Sequence, residues 1–350
     1  MRRPSWHFLL GVVLGVLLLW LSLRGVDLPS LWDALVHADY WLLVPACAVT
    51  LAAFYVRAVR WGVLLRAVKP IGPGSLYSAT MIGYAANNLL PARLGEFVRA
   101  WAIGRQERIS RSAAFATVVV ERVVDVFSLL FFFALMLLVH PFSESVRRSG
   151  WLVLGLNLLL LGVLLGAERR PDLVTRCGVW LARGAPARLR PRVQAFFGNF
   201  VGGLGALRQG PALAWVALHS LVLYLLTIGG IQVCLAAFDF QVPWYTSTLL
   251  LVAITLGITV APTPGFVGAV QVASVWGLSL MGVDRSRAFS YSLFYHVSQF
   301  VPVTAVGLWY LARQGLTLGD VAGAAGGHDP VGVADGGRPA AAAGEVRRSD

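Results

Sequence analysis

Charge is scarce in this chain: 13% of its 350 residues are Asp, Glu, Lys or Arg. A soluble domain needs a polar outer face, and several windows here have none. The mean hydropathy of +0.71 and the 57% share of hydrophobic residues fit a polytopic integral membrane protein. Lysine is nearly absent, Lys69 being the only one. No glycine-rich loop ending in lysine can therefore cradle a nucleotide phosphate, and the chain is not its own ATP motor. The three cysteines, Cys47, Cys177 and Cys234, stand too far apart for a CxxC or a zinc ligand set, which removes a disulfide framework and a structural metal. Cys47 and Cys234 sit in apolar runs and read as small buried hydrophobes. HExxH, G-x-S-x-G and paired DxD motifs are missing as well. No metal, no cofactor and no enzymatic apparatus is expected.

What is present is arginine. The formal charge of +12 flanks apolar spans, so anionic lipid is the better-matched partner and nucleic acid is not expected. Spans of about 17–28 residues cross a roughly 30 Å hydrocarbon core. Six candidates qualify: His7–Leu23, Trp41–Leu65, Ser112–Val139, Trp151–Ala167, Ala212–Phe238 and Ala288–Ala312. The first could be mistaken for a cleaved signal, but no small-x-small site follows Leu23, so it is read as retained. Two further apolar regions are broken, Leu76–Gly104 at Leu90–Gly95 and Trp244–Met281 at Ala261–Gly265. The expected fold is an all-α polytopic membrane protein of about six full spans plus two broken or re-entrant helical pairs, with an inverted repeat suggested by the paired breaks.

Arginine asymmetry sets the expected orientation. Arg2 and Arg3, then Arg57, Arg60, Arg66 and Lys69, then the arginine-rich stretch from Arg169 to Arg208 mark the cytoplasmic side. Asp27, Asp33 and Asp39 mark the outside, and Arg147 and Arg148 conflict mildly with this scheme. Both termini are thus expected in the cytoplasm, at a bacterial-type cell (inner) membrane. Residues 1–317 form the expected membrane domain. Within it, residues 171–210 read as an amphipathic connector on the lipid surface. Residues 318–350 read as a disordered tail.

The stretch Asn87–Asp125 holds six arginines and four carboxylates. Each charge held at the bilayer centre costs at least about 2.5–3.5 kcal/mol and is a functional suspect by default. Around Arg93, Pro91 lacks an amide proton and Gly95 is permissive, so the backbone leaves the helical path. Asn87 and Asn88 precede that break, and Arg93, Glu96 and Arg99 follow at spacings of three, on one helical face. A solvated cytoplasmic loop would look the same. Glu121, Arg122 and Asp125 lie roughly 14–20 Å into their span at 1.5 Å per residue. They read either as an ion pair gluing helices or as a polar lining for a headgroup or ion path. At the second break, Pro262 and Pro264 stop a helix, while Gly265 and Gly268 admit a close neighbour. His296 and Gln299 are placed to face it, or to serve as packing residues.

Asn88–Glu96 (NLLPARLGE), then Glu121–Asp125 (ERVVD), then Pro262–Gly265 (PTPG) together resemble the flippase-like membrane domain of lysylphosphatidylglycerol synthases, over roughly residues 10–312. The resemblance implies a helical fold with re-entrant segments and the movement of aminoacylated or other modified lipids between leaflets. Two departures count. No aminoacyl-transfer domain follows the membrane part, so synthase activity is not implied. Phe266 and Gln271 stand where the family often has a glycine and a glutamate, which weakens the case for a cationic headgroup at this half-site. The expected substrate-binding set is Asn88, Arg93, Glu96, Arg99, Glu121, Arg122, Asp125, Pro262, Pro264, Gly265, Gln271 and His296. The expected partners are membrane lipids, anionic phospholipid or a lipid-linked substrate. The alternative is an accessory or enzyme working with an aminoacyl- or glycosyl-transferase.

Overall fold

The computed structural model describes residues 6–90, 94–139, 169–184, 210–261 and 263–325, with isolated positions between 144 and 198. Among the described residues every regular element is helical. The chain opens with α1 (Trp6–Leu23) and α2 (Leu28–Val36), which meet at a 92° bend. Asp27 caps α2 by accepting from the Ser30 amide, with Pro29 in the first turn. Next come α3 (Leu43–Leu65), α4 (Pro73–Leu89), α5 (Gly95–Glu107) and α6 (Arg111–Val139). The short α7 (Pro171–Gly184) precedes α8 (Gly210–Ala236), α9 (Thr246–Val260), α10 (Ala269–Ser279), α11 (Arg285–Arg313) and α12 (Leu318–Ala325).

Among the described residues two helices, Tyr40–Leu65 and Pro211–Ala236, are long and apolar enough to cross a bilayer, and a third span results if the bent pair at the N-terminus counts as one. Helices α6 and α11 have 29 residues each. Their apolar character is interrupted by Glu121, Arg122 and Asp125 in one, and by Arg285, Arg287 and a run of serines in the other. Most of the expected span Trp151–Ala167 lies outside the described residues.

Both expected breaks are helical hairpins. Helix α4 stops because Leu90, which precedes a proline, is extended at φ −100°, ψ 150°. Helix α5 runs back along α4, so that Gly83 faces Gly95 and Arg99, and Gln106 donates to Ser78. The second hairpin pairs α9 with α10, Gly257 against Ala273 and Gly277 against Leu250. Helix α11 packs on both hairpins and on α3, while α8 lies along α3. One apolar core joins Ile231 and Leu235 of α8, Leu250 of α9, Leu278 of α10 and Tyr291 of α11. A second joins Trp61, Ile82, Val98 and Ile103. Val13, Val16 and Trp20 on α1, and Leu213, Trp215 and Leu225 on α8, point outward, as side chains that face lipid would.

One expectation changes at the C-terminus. Rather than lacking structure from Leu318, the chain forms α12 there. Asp320 accepts from the Thr317 amide and hydroxyl, and Val321 is fully buried against the second core. Residues 326–350 lie outside the described set. Within the expected amphipathic connector, α7 buries Gly178 and Ala182 and exposes Leu173, Trp180 and Leu181.

Candidate functional site

The site is built where α3 crosses α6. Arg57 and Arg60 are three apart on α3 and so share a face; Glu121 and Asp125 are four apart on α6 and share another. The two faces meet. Arg57 reaches Asp125 at 2.7 Å and Glu121 at 3.5 Å, and Arg60 reaches them at 2.5 and 3.3 Å. Arg60 also donates to the Ser220 hydroxyl at 2.9 Å, which ties α8 to the cluster. From α5, Arg99 closes on the other oxygen of Glu121 at 2.9 Å and lies over the Trp61 ring at 3.9 Å from its centroid. The Trp61 indole donates to Thr117, so the ring is fixed from both sides.

Arg122 takes a different place. Its shortest bond, 2.7 Å, goes to the Tyr84 hydroxyl, whereas Asp125 and Glu121 stand 3.4 and 3.7 Å away. Asp125 and Glu121 were its expected partners, but the tighter contacts to them come from Arg57, Arg60 and Arg99. The Arg122 side chain is 38% exposed and that of Arg57 16%, against 0% for Arg60 and Glu121. The cluster therefore has a sealed floor and an open rim formed by Arg122, Arg57 and Tyr84. Four guanidinium groups face two carboxylates, a net charge of +2, and the Nε atoms of Arg60, Arg99 and Arg122 are buried without hydrogen-bond partners.

Arg57 and Arg60 were read in the sequence as charges at the end of the second span that mark the cytoplasmic side; their side chains turn into the helix bundle and pair there. The available signal was their spacing of three within an apolar helix that continues to Leu65. Tyr84, Trp61 and Ser220 carried no comparable signal.

The two breaks are tied off by side chains of their own. The Asn87 carboxamide oxygen accepts the Gly95 amide at 2.7 Å, capping α5, while its nitrogen lies 3.4 Å from both Glu96 oxygens. Asn88 donates to Thr304 on α11. At the second break Gly265 adopts φ +60°, a conformation glycine accepts without strain. His296 Nε2 lies 2.9 Å from the Gly265 carbonyl, and Gln271 bridges His296 Nδ1 at 3.0 Å and the Gly268 amide at 2.7 Å. Because the Gln271 oxygen accepts from that amide, its nitrogen donates to Nδ1, leaving Nε2 as the protonated donor. Pro264 opens the single turn Pro264–Phe266, with this glycine at its middle. Arg93 and Pro262 lie outside the described residues.

Two cavities adjoin the cluster. One, of about 160 Å³, runs between α3 and α8 and is lined by Arg57, Thr50, Thr227 and Gln299 among apolar neighbours. The other, of about 170 Å³, is mostly apolar and holds Tyr84, Asn88 and His296 at its polar edge. Phe54 and Gln299 line both and form the wall between them. The structure thus gathers Arg99, Glu121, Arg122 and Asp125 in one cluster. Asn88, Gly265, Gln271 and His296 form the neighbouring seam, and Glu96 remains at the first turn of α5.

The family profile of the lysylphosphatidylglycerol synthase TM region matches residues 8–307. A UPF0104 membrane protein of Methanothermobacter thermautotrophicus is 24% identical over 314 residues, 85% of this chain and 92% of the relative. Another from Methanocaldococcus jannaschii is 25% identical over 244 residues, 66% of this chain and 95% of the relative. Glycosyltransferase AglD of Haloferax volcanii is 30% identical over 123 residues, 34% of this chain and 19% of that protein. No solved structure matches.

Proposed function

The chain belongs to the family of the lysylphosphatidylglycerol synthase TM region, and from that premise we propose that it moves a membrane lipid between leaflets, without ATP hydrolysis of its own. The observation that carries this reading is the arginine cluster: a net charge of +2 with Arg122 exposed at its rim, where Arg57 and Tyr84 border two cavities that turn apolar away from it. A headgroup phosphate would dock on the rim guanidinium groups, which bind phosphate in charge-assisted pairs, while the tail follows the apolar wall. Glu121 and Asp125 would keep the arginines in place rather than meet a cationic group. The chain acts here as a transporter, not an enzyme. In this reading it has about six spans and two re-entrant hairpins at a bacterial-type inner membrane, with both termini in the cytoplasm. Leaflet exchange of a fluorescent phospholipid in reconstituted vesicles tests it. Exchange above protein-free vesicles, lost in Arg122→Ala, is expected, and wild-type protein that exchanges no lipid would refute it.

The partial match to a glycosyltransferase favours one second reading, a membrane accessory that works beside a lipid-linked glycosyl- or aminoacyl-transferase. Under it the chain alone would exchange no lipid, and exchange would appear only when such an enzyme is reconstituted with it.

A further inference from the structure

We infer that the lipid accepted at this site has an anionic headgroup that carries no ammonium group; the inference rests on reading the arginine cluster as the headgroup site. An ammonium held out of water needs a carboxylate, a set of free carbonyls or an unoccupied aromatic face as its counterpart. Neither carboxylate of the cluster is free to provide one. Asp125 has Arg57 at 2.7 Å, Arg60 at 2.5 Å and Arg122 at 3.4 Å around it. Glu121 is fully buried, with Arg99 on one oxygen and Arg60, Arg57 and Arg122 about the other. The third nearby carboxylate, Glu96, stands in the first turn of α5 beside the Asn87 amide and lines neither cavity.

The second break offers no substitute. The Gly265 carbonyl, which a cation could use, already accepts from His296, and the histidine and Gln271 satisfy one another. Among the described residues, Arg57 is the only charged side chain lining either cavity. The second cavity does present aromatic rings, but Arg57 and Arg122 already lie over that of Tyr84, the net +2 of the cluster repels a further cation from the others, and among the described residues no carboxylate lines either cavity. Each cavity is also smaller than the roughly 300–1,000 Å³ of pockets that enclose drug-sized ligands. The pair therefore admits a compact phosphate on one side of Phe54 and Gln299 and the first part of an acyl chain on the other.

The test measures binding to the purified full-length protein in detergent, using lipids with identical dioleoyl tails. Phosphatidic acid and phosphatidylglycerol are compared with phosphatidylcholine and lysylphosphatidylglycerol, and soluble glycerol phosphate is run alongside. The two anionic lipids should bind about tenfold or more tighter than the two that carry an ammonium group, the scale of one charged hydrogen bond. Arg122→Gln should shrink that preference. Lysylphosphatidylglycerol binding as tightly as phosphatidylglycerol would overturn the inference, whatever the variant does. Glycerol phosphate matching phosphatidic acid would overturn the lipid part of it. Leaflet exchange is read separately in vesicles, so its absence for every lipid counts against transport, while the order of binding still decides the headgroup.

Discussion

Gly265, in the second break, lies against the backbone carbonyl of Asn88, in the first: a Cβ on Gly265 would stand 3.3 Å from that oxygen. The interruptions of two separate hairpins are therefore one place. Helix α11 closes it by giving His296 to Gly265 and Thr304 to Asn88. Irregular backbone at membrane depth is tolerated only where protein or water covers it, and each hairpin covers the other.

Arg122 and Arg60 should separate function from folding. Arg122 sits on the rim with its side chain 38% exposed, so Arg122→Ala should accumulate and melt close to wild type, yet lose leaflet exchange at least about tenfold. A well-folded Arg122→Ala that exchanges lipid at the native rate removes the rim from the mechanism.

Arg60→Ala should fail earlier. Arg60 and Glu121 are both sealed from solvent, and removing one partner of a buried pair costs about 3–5 kcal/mol because the other charge is left behind. Denaturant unfolding in detergent reads the loss. A change under about 1 kcal/mol would mean that water reaches the cluster floor.

The α4–α5 hairpin depends on a glycine pair. A methyl on Gly95 would overlap the Gly83 carbonyl and the Asn87 side chain, and overpacking of this kind costs about 1–3 kcal/mol. Gly95→Ala is expected to lower the melting temperature and weaken the Asn87 cap together. An unchanged melting curve would show that the hairpin opens without cost.

Lys69 donates to the Glu107 carboxylate and to its backbone carbonyl, both at 2.9 Å, at the C-terminal end of α5. The bond to the carboxylate, with one from Ser75, holds the Glu107 carboxyl below its ordinary value of 4.5. A lowered carboxyl pKa gives stability that is complete above the unfolded value and lost as pH falls through the folded one. Stability should therefore drop below about pH 4.5 by no more than about 1 kcal/mol, the ceiling for a half-exposed pair. Glu107→Gln should flatten that segment of the pH profile; an identical profile in the variant would assign the drop to other groups.

Cys177 is exposed on α7, whereas Cys234 is buried. In a Cys47→Ala background, a membrane-impermeant maleimide should label Cys177 in inverted membrane vesicles and not in intact cells. Labelling from outside would reverse the proposed topology.

Much of this layout was legible before any coordinates. Pro91 and Gly95 announced the first hairpin, because proline restricts the residue before it and glycine admits a close neighbour. Carboxylates set four apart in a long apolar run announced the cluster on α6. Arg57 and Arg60 were not legible as members. An arginine within about two turns of a helix end reads the same whether it points to water or to a neighbouring helix, and only packing decides. Their partners lie 61 to 68 positions away in the chain, a separation no local period encodes. The helix at Leu318 was hidden for another reason. Its composition is that of a linker, and burial of Val321 together with the Asp320 bonds to Thr317 holds it.

The distance along the chain between Arg60 and its carboxylates also has a consequence for biogenesis. Helix α3 leaves the ribosome well before α6 has been made, so Arg57 and Arg60 reach the insertion machinery with no acidic partner. At the bilayer centre each would cost at least about 2.5 kcal/mol, a cost that pairing with Glu121 and Asp125 offsets only once α6 has been made.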